Sequence, residues 1–239
     1  MKNNIKVSLV IPAHNESGTL DELMERITKT MNSCMKKDEW ECLIINDTST
    51  DNTGKMLEEL KKKHTNLRPF HHKINKGQTG CFDTGFKNAR GDIILTLDGD
   101  LEVKPEDLPL FIKKMDDGAD IVNGIRASRK HTFSIQFASR MYNILMFLFF
   151  KSLFYDAASN YTAFRSKFVK GINLKKNDHR YILPIATRRG AKEMEEVVIQ
   201  HDRRSSGTSK YKAINKFIFG LFEIVNAWYR ITKRKEYDL

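Results

Sequence analysis

The sequence predicts an α/β domain with a mainly parallel sheet covered by helices on both faces, a doubly wound arrangement. Three observations predict it. Short apolar runs alternate with amphipathic stretches along residues 1–125, and polar, turn-forming residues follow each apolar run. The chain has 239 residues, 40% of them hydrophobic, which suits one sizeable core. Strands separated by helix-length segments need crossover connections, and these set the strands parallel with helices on the sheet faces.

The elements follow in order. Val7-Ser-Leu-Val-Ile11 is a buried-type strand ended by Pro12, and Leu20 to Lys36 has helical spacing through Leu23, Met24, Ile27 and Met31. Glu41 to Asn46 is the second strand, and a turn rich in Thr, Ser, Asp and Asn leads to a helix from about Asp51 to His64. Leu67 to His71, Asp92 to Leu97 and Asp120 to Gly124 read as strands, with helices at Gln78 to Ala89 and, behind Pro105, at Glu106 to Met115. Beyond residue 125 the alternation stops. Thr132 to Tyr155 reads as a long helix with Phe137, Met141, Ile144, Leu148 and Phe149 on its apolar face, and a mixed region runs to about Gln200. Tyr211 to Lys233 is again amphipathic, through Phe217, Leu221, Phe222, Val225 and Trp228. Such a helix either packs on its own domain or lies in a membrane interface, as its basic ends and aromatic residues suit.

Charge divides the chain. Residues 1–125 carry 18 Lys+Arg against 21 Asp+Glu, whereas residues 126–239 carry 23 against 9, so the net +11 resides in the C-terminal half. That asymmetry suits an anionic partner. No aromatic-rich strand motif or recognition-helix signature accompanies the charge, which argues against nucleic acid. Cys34, Cys42 and Cys81 are odd in number and lack CxxC spacing, so they read as reduced thiols of a cytoplasmic protein. The few apolar residues before Pro12 are too few for a signal peptide. The most apolar stretch, Met141 to Tyr155, is broken by Asn143, Lys151 and Ser152 and falls short of the ~20 residues a spanning helix needs.

Ligands of parallel sheets sit beyond the carboxyl ends of the strands, so the residues there carry the functional reading. They are Pro12-Ala-His-Asn-Glu16, Asn46-Asp-Thr-Ser-Thr-Asp51 and Asp98-Gly-Asp100. Two carboxylates around a glycine suit Mg²⁺ or Mn²⁺, whose shell a bound diphosphate would complete. Two surface aspartates at a turn would look the same in isolation. With Asn75-Lys-Gly-Gln-Thr-Gly80 and Ala89-Arg-Gly-Asp92, however, these motifs stand in the order and spacing of family-2 glycosyltransferases. His201-Asp-Arg-Arg-Ser-Ser-Gly-Thr-Ser-Lys-Tyr211, with Arg126 and Arg140, resembles the polyprenyl-phosphate branch typified by dolichyl-phosphate mannose synthase. The resemblance covers roughly residues 5–212.

That resemblance implies a GT-A fold with a Rossmann-like sheet, a catalytic domain over residues 1–212 and a basic amphipathic helix over 213–239, with 132–155 a candidate interface helix. It implies inverting transfer of a hexose from a nucleotide sugar of the GDP-mannose or UDP-glucose type to a polyprenyl or dolichyl phosphate, at the cytoplasmic membrane face. Pro12, Ala13, Asn15, Glu16, Asp47, Lys76, Gly77 and Gly99 would line the nucleotide-sugar pocket, with Asp47 accepting a hydrogen bond from the base. Asp98 and Asp100 would hold the cation and diphosphate, with Glu102 a third carboxylate nearby. Arg126, Arg140, Arg204, Ser209 and Lys210 would seat the acceptor phosphate, and Arg204 and Lys210 would join Asp98 and Asp100 in catalysis. Each has a plainer alternative: Glu16 as a first-turn helix acid, Asp47 as a turn former, the arginines as a solvated face. A membrane-protein partner or purely peripheral binding would replace the transmembrane helices that many relatives carry, and a homo-oligomer is a further partner the reading allows.

The pattern departs at three places. Asn46 stands where relatives have the first of two aspartates, Leu101-Glu102 follows Asp100 where they often have Gln, and Asn160-Tyr161-Thr162 replaces a Gly-aromatic-Arg element, which bears on acceptor identity. Two rivals remain: a transferase acting on a glycan hydroxyl, with Glu102 or Asp156 as base, and an inactive scaffold of the same fold. The base and hexose of the donor are not legible in any motif.

Overall fold

The computed structural model describes residues 4–126, 141, 144–150, 159–175, 177–200 and 222–238. Its strands are β1 (Val7–Ala13), β2 (Trp40–Asn46), β3 (Leu67–His71), β4 (Ile93–Thr96), β5 (Ile121–Arg126), β6 (Thr162–Arg165) and β7 (Met194–Ile199). Helices α1 (Leu20–Cys34), α2 (Thr53–Lys63), α3 (Gly77–Asn88) and α4 (Leu108–Asp116) alternate with the first five strands. The sheet order is β3-β2-β1-β4-β6-β5-β7. Every pairing is parallel except those of β6, which runs antiparallel to both β4 and β5. This is the α/β fold with helices on both faces that the alternation predicts. The antiparallel insertion of β6 was not legible, because a four-residue strand carries too little periodicity to separate from its surroundings.

Alternate residues of the central strands feed two cores. Val7, Leu9 and Ile11 of β1, Cys42 and Ile44 of β2, and Ile93 and Leu95 of β4 meet the apolar faces of α1, α2 and α4, including Leu23, Ile27, Leu57 and Phe111. Val10, Leu43, Ile45 and Ile94 point the other way, onto Phe82 and Phe86 of α3 and Ile182 and Ile185 of the helix Ile182–Arg188. Gly85 lets α3 approach β1, since a Cβ there would sit 2.2 Å from Val10 Cγ1. Gly91, from the Ala89-Arg-Gly-Asp92 motif, meets backbone in the same way, 2.7 Å from Ser8 N, so that motif serves the packing of β4 on β1.

Strand β1 does not stop at Ile11. It continues through Pro12 to Ala13, paired with Ile45 and Asn46. Asp47 N donates to Ala13 O and Leu97 N to Val10 O, so alternate residues of β1 address β2 and β4. Pro12 faces the β4 side beyond the last β4 pair, where its missing N–H costs no ladder bond. Past Thr96 the chain leaves β1. A crevice opens at that point, where successive crossovers turn to opposite sides of the sheet.

Residues 222–238 pack on the second core. Ile224, Ala227, Ile231 and Tyr237 are buried there, Phe149 meets Trp228 edge-on at 5.9 Å, and Arg230 pairs with the fully buried Asp178 at 2.6 Å. The same helical segments, 144–150 and 222–233, also turn apolar side chains outward: Ile144, Phe147 and Leu148 on one, Phe222, Val225 and Tyr229 on the other. Among the described residues no helix is long and apolar enough to cross a membrane.

His179, which shares a 2.8 Å hydrogen bond with Thr79 of α3, supplies a pH-dependent tie between these layers. Burial, assisted by the neighbouring Arg180, pushes its imidazole down to about 4. The folded value lies below the unfolded one, so the unfolded chain takes up the proton more readily. The contribution of His179 is therefore complete above about pH 6.5 and is lost as the pH falls toward 4. Urea unfolding is expected to show a decline of about 2 kcal/mol or less from this group between about pH 7 and 5. His179→Gln should flatten that part of the profile, and an unchanged slope would place the pH dependence elsewhere.

Candidate active site

The crevice between β1 and β4 holds a cavity of about 360 Å³. Its walls come from four places: the β1 end (Pro12, Ala13, His14, Glu16), the residue after β2 (Asp47), the first turns of α3 (Gln78, Cys81), and the segment after β4 with Asn160. Asp98, Gly99, Asp100 and Glu102 form the acidic side.

Local structure explains how those acids come together. Leu97 is the last buried residue of the β4 run, and the chain then turns so that Gly99 lies against β1. A Cβ on Gly99 would be 3.2 Å from Pro12 O, and Gly99 O accepts from Thr19 Oγ1 at 2.9 Å. Leu101 takes a φ of 60°, a left-handed conformation that costs a non-glycine residue about 1 kcal/mol or more. The turn is pinned by Glu102 N donating to Asp100 Oδ1 at 3.1 Å. Three carboxylates within five residues are thus turned toward one cavity.

Asp98 is held by two amides. Gln78 Nε2 donates to its Oδ1 at 2.9 Å, and Asn160 Nδ2 reaches both oxygens, at 3.3 and 3.2 Å. Asn160 is itself anchored, because Thr96 Oγ1 donates to its carbonyl at 2.6 Å. Burial pushes the Asp98 carboxyl up to about 6; the Asn160 hydrogen bond and the Arg126 charge oppose the shift, while Asp100 and Glu102 add to it. Crowded carboxylates of this kind favour a bound cation, and an all-oxygen donor set suits Mg²⁺ or Mn²⁺.

On the β2 side the carboxylate of Asp47 accepts from His72 Nδ1 at 2.7 Å, from Lys76 N at 2.8 Å and from Gly77 N at 2.7 Å. It therefore caps the N-terminus of α3 from outside the helix. His72 Nε2 lies 2.9 Å from Thr84 Oγ1. Cys81, whose thiol burial pushes up to about 12, completes this wall. Ligand atoms of Asp47, His72 and Cys81 all lie within 4.8 Å of one another, but the two ring nitrogens of His72 are engaged with Asp47 and Thr84.

The expected site residues divide accordingly. Pro12, Ala13, Glu16, Asp47, Asp98, Gly99, Asp100 and Glu102 meet at the cavity. Asn15 does not line it. Its Oδ1 accepts from Thr50 N at 2.8 Å and its amide donates to Ser49 Oγ, so with a φ of 59° it ties the β1 and β2 loops together. Lys76 and Gly77 likewise offer their backbone amides to Asp47 and are not cavity-lining. Arg126 ends β5 and acts on Asp98 through its charge. Arg140, Asp156, Arg204, Ser209 and Lys210 lie outside the described residues.

The departures also find places. Asn46 donates toward His71 and accepts from Ser49 N, away from the cavity. Tyr161 stacks on Phe111 at 4.4 Å and Thr162 bonds Asn123 at 2.9 Å, both buried, so only Asn160 of that element reaches the site. His14, Gln78 and Cys81 are lining residues that the motif reading passed over. His14 and Gln78 stood inside quoted motifs, and the i, i+3 spacing of Gln78 and Cys81 on a helix that starts at a strand end was the available signal.

The sequence model of glycosyl transferase family 2 matches residues 8–182. The chain belongs to that family. Among solved structures, this glycosyltransferase resembles S. aureus TarS 1-349 in complex with UDP-GlcNAc, with a TM-score of 0.66 and 17% identity over 94% of this chain and 65% of that one. Glucosyl-3-phosphoglycerate synthase from Mycobacterium tuberculosis, with Mn²⁺ and UDP-glucose, matches at 0.69 and 15% identity over 94% of this chain and 79% of that one. Mannosyltransferase PcManGT from Pyrobaculum calidifontis, with GDP-Man and Mn²⁺, matches at 0.61 and 17% identity over 84% and 58%. At such identities the likeness is one of fold. The glycosyltransferase spans about two thirds of the TarS 1-349 chains it matches.

Proposed function

We propose that this family-2 glycosyltransferase moves a hexose from a nucleoside-diphosphate sugar to a polyprenyl phosphate at a membrane surface, with inversion, assisted by Mg²⁺ or Mn²⁺. The observation that carries the donor half is the gathering of Asp98, Asp100 and Glu102 in the cavity at the β1–β4 crevice. The TarS and mycobacterial structures hold UDP or UDP-sugars and PcManGT holds GDP-Man, which supports a nucleotide sugar without choosing its base.

Asp100 and Glu102 would hold the cation, with Asp98 set in place by Gln78 and Asn160. When bound, a hard divalent cation neutralises a diphosphate and stabilises it as a leaving group. Gly99, packed on Pro12, keeps the acidic turn against the β1 end so that the donor lies along the crevice. A phosphate acceptor is already ionised at neutral pH, so it needs aiming rather than a base. Arg126, Arg140, Arg204, Ser209 and Lys210 would supply the charges and donors for that role, and the family resemblance gives Arg204 and Lys210 the further role of stabilising the charge that develops on the departing diphosphate. The basic C-terminal half and the outward apolar stripes of 144–150 and 222–233 support a lipid-borne acceptor.

Glu102 at the cavity favours one second reading, a hydroxyl acceptor deprotonated by that carboxylate. Lys210→Ala tests the acceptor-phosphate role. Under the proposal it lowers transfer to polyprenyl phosphate by about 10²-fold, as loss of a charge-assisted contact made in the transition state does. Nucleotide affinity measured by calorimetry should change far less. Equal losses in both would confine Lys210 to the donor.

A further inference from the structure

Away from the acidic turn, three elements bring together a second set of donors. Asp47 follows β2, His72 follows β3 and Cys81 lies on α3. His72 is fixed by its backbone, whose N–H continues the β2–β3 ladder to Asn46 O at 2.9 Å. Asp47 is fixed by the amides of Lys76 and Gly77. All three side chains are more than nine-tenths buried.

We propose that Asp47, His72 and Cys81 form a Zn²⁺ site, distinct in chemistry from the all-oxygen acidic turn. A carboxylate, an imidazole and a thiolate are donor types of zinc, and thiolate sulfur disfavours Mg²⁺ and Mn²⁺. Ligand atoms within 4.8 Å of one another stand near the separations of about 3.3–3.6 Å that a tetrahedral zinc imposes. The ion takes the place of the proton between His72 Nδ1 and Asp47 Oδ1, which part from 2.7 Å by roughly half an ångström. Loading releases one proton to solvent, from the Cys81 thiol. His72 changes tautomer, so that Nδ1 binds the ion and Nε2 carries the hydrogen. Thr84 Oγ1, 2.9 Å from Nε2, then accepts that hydrogen, as the outer partner of a zinc-bound imidazole does. The Lys76 and Gly77 amides keep their bonds to Asp47, so α3 stays capped.

Asp47 and Cys81 line the cavity, so the fourth position of the ion faces it. Resting on the nucleotide-sugar reading, a loaded zinc narrows the cavity of about 360 Å³ that takes the donor, and it therefore inhibits transfer.

The test titrates the full chain with Co²⁺, a coloured stand-in for zinc, in excess Mn²⁺ that fills the acidic turn. Expected is a near-ultraviolet thiolate-to-cobalt charge-transfer band, discharged by Zn²⁺, retained in Cys34→Ser and absent in Cys81→Ser. Thr84→Val should keep the band but weaken Co²⁺ binding by about 10–100-fold. No band, or a band lost with Cys34 instead, would overturn the site. Zn²⁺ should also weaken calorimetric binding of UDP or GDP in Mn²⁺ by about tenfold or more, and unchanged affinity would overturn the inhibitory role. Failure of both nucleotides to bind in Mn²⁺ alone would overturn the nucleotide reading, while the cobalt spectrum still decides the site.

Discussion

Asp100→Ala is expected to abolish cation-dependent transfer, lowering kcat by about 10³-fold or more, while the protein remains folded. Asp100 stands in the cavity beside Glu102, on a turn whose shape is fixed by the packing of Gly99 on Pro12 and by the left-handed Leu101. Removing its carboxylate takes away a hard oxygen donor, yet it disturbs little packing. It also relieves repulsion, since the Asp100 charge is one of the influences that hold the Asp98 carboxyl high. Without added cation the melting temperature should stay close to that of the parent, the relieved repulsion offsetting the lost Glu102 N to Asp100 Oδ1 hydrogen bond. The stabilisation by Mn²⁺ with nucleotide should shrink, as linkage requires when binding to the native state weakens. Turnover in Mn²⁺ undiminished by this substitution would remove Asp100 from the cation site.

Arg230→Ala has the largest expected effect on stability, a loss of about 3–5 kcal/mol. Asp178 is fully buried, and Arg230 meets it through both terminal nitrogens, at 2.6 and 3.3 Å. Lys175 N at 2.7 Å and the Tyr237 hydroxyl complete its partners. Truncating Arg230 leaves a carboxylate that has lost its counter-charge and cannot be rehydrated without opening the second core. The loss reaches beyond one pair, because Ile224, Ala227, Ile231 and Tyr237 reach that core through the same segment. Urea unfolding checks this: the midpoint should fall with the slope unchanged. A change under about 1 kcal/mol would mean that residues 222–238 unfold separately from the sheet.

What the sequence made legible follows from how local each signal is. Central strands buried on both faces are continuous Val, Ile and Leu runs, so β1, β2 and β4 stood out, as did the helices with regular apolar spacing. Asp98-Gly-Asp100 was legible because both acids and the glycine that seats them on β1 are contiguous. The amides that hold Asp98 were not, since Gln78 and Asn160 lie 20 and 62 residues away and meet it only through the sheet order. Asn15, Lys76 and Gly77 show the converse. They stand in motifs that the family resemblance assigns to the nucleotide pocket, yet their contacts hold the β1, β2 and α3 loops in register. A motif read along the chain does not distinguish a residue that touches a ligand from one that shapes the loop around it. Proline lacks a donor, so Pro12 reads as a strand end, and only the departure of β4 reveals that no donor is needed there.

Transfer from a nucleotide sugar to a lipid phosphate is measured by supplying the full chain with radiolabelled donor, Mn²⁺ and polyprenyl phosphate in anionic vesicles. Label should extract with the lipid, depend on the cation and be lost in Asp100→Ala. Label that stays water-soluble, or that passes to a hydroxyl acceptor while the lipid phosphate remains unmodified, would contradict it.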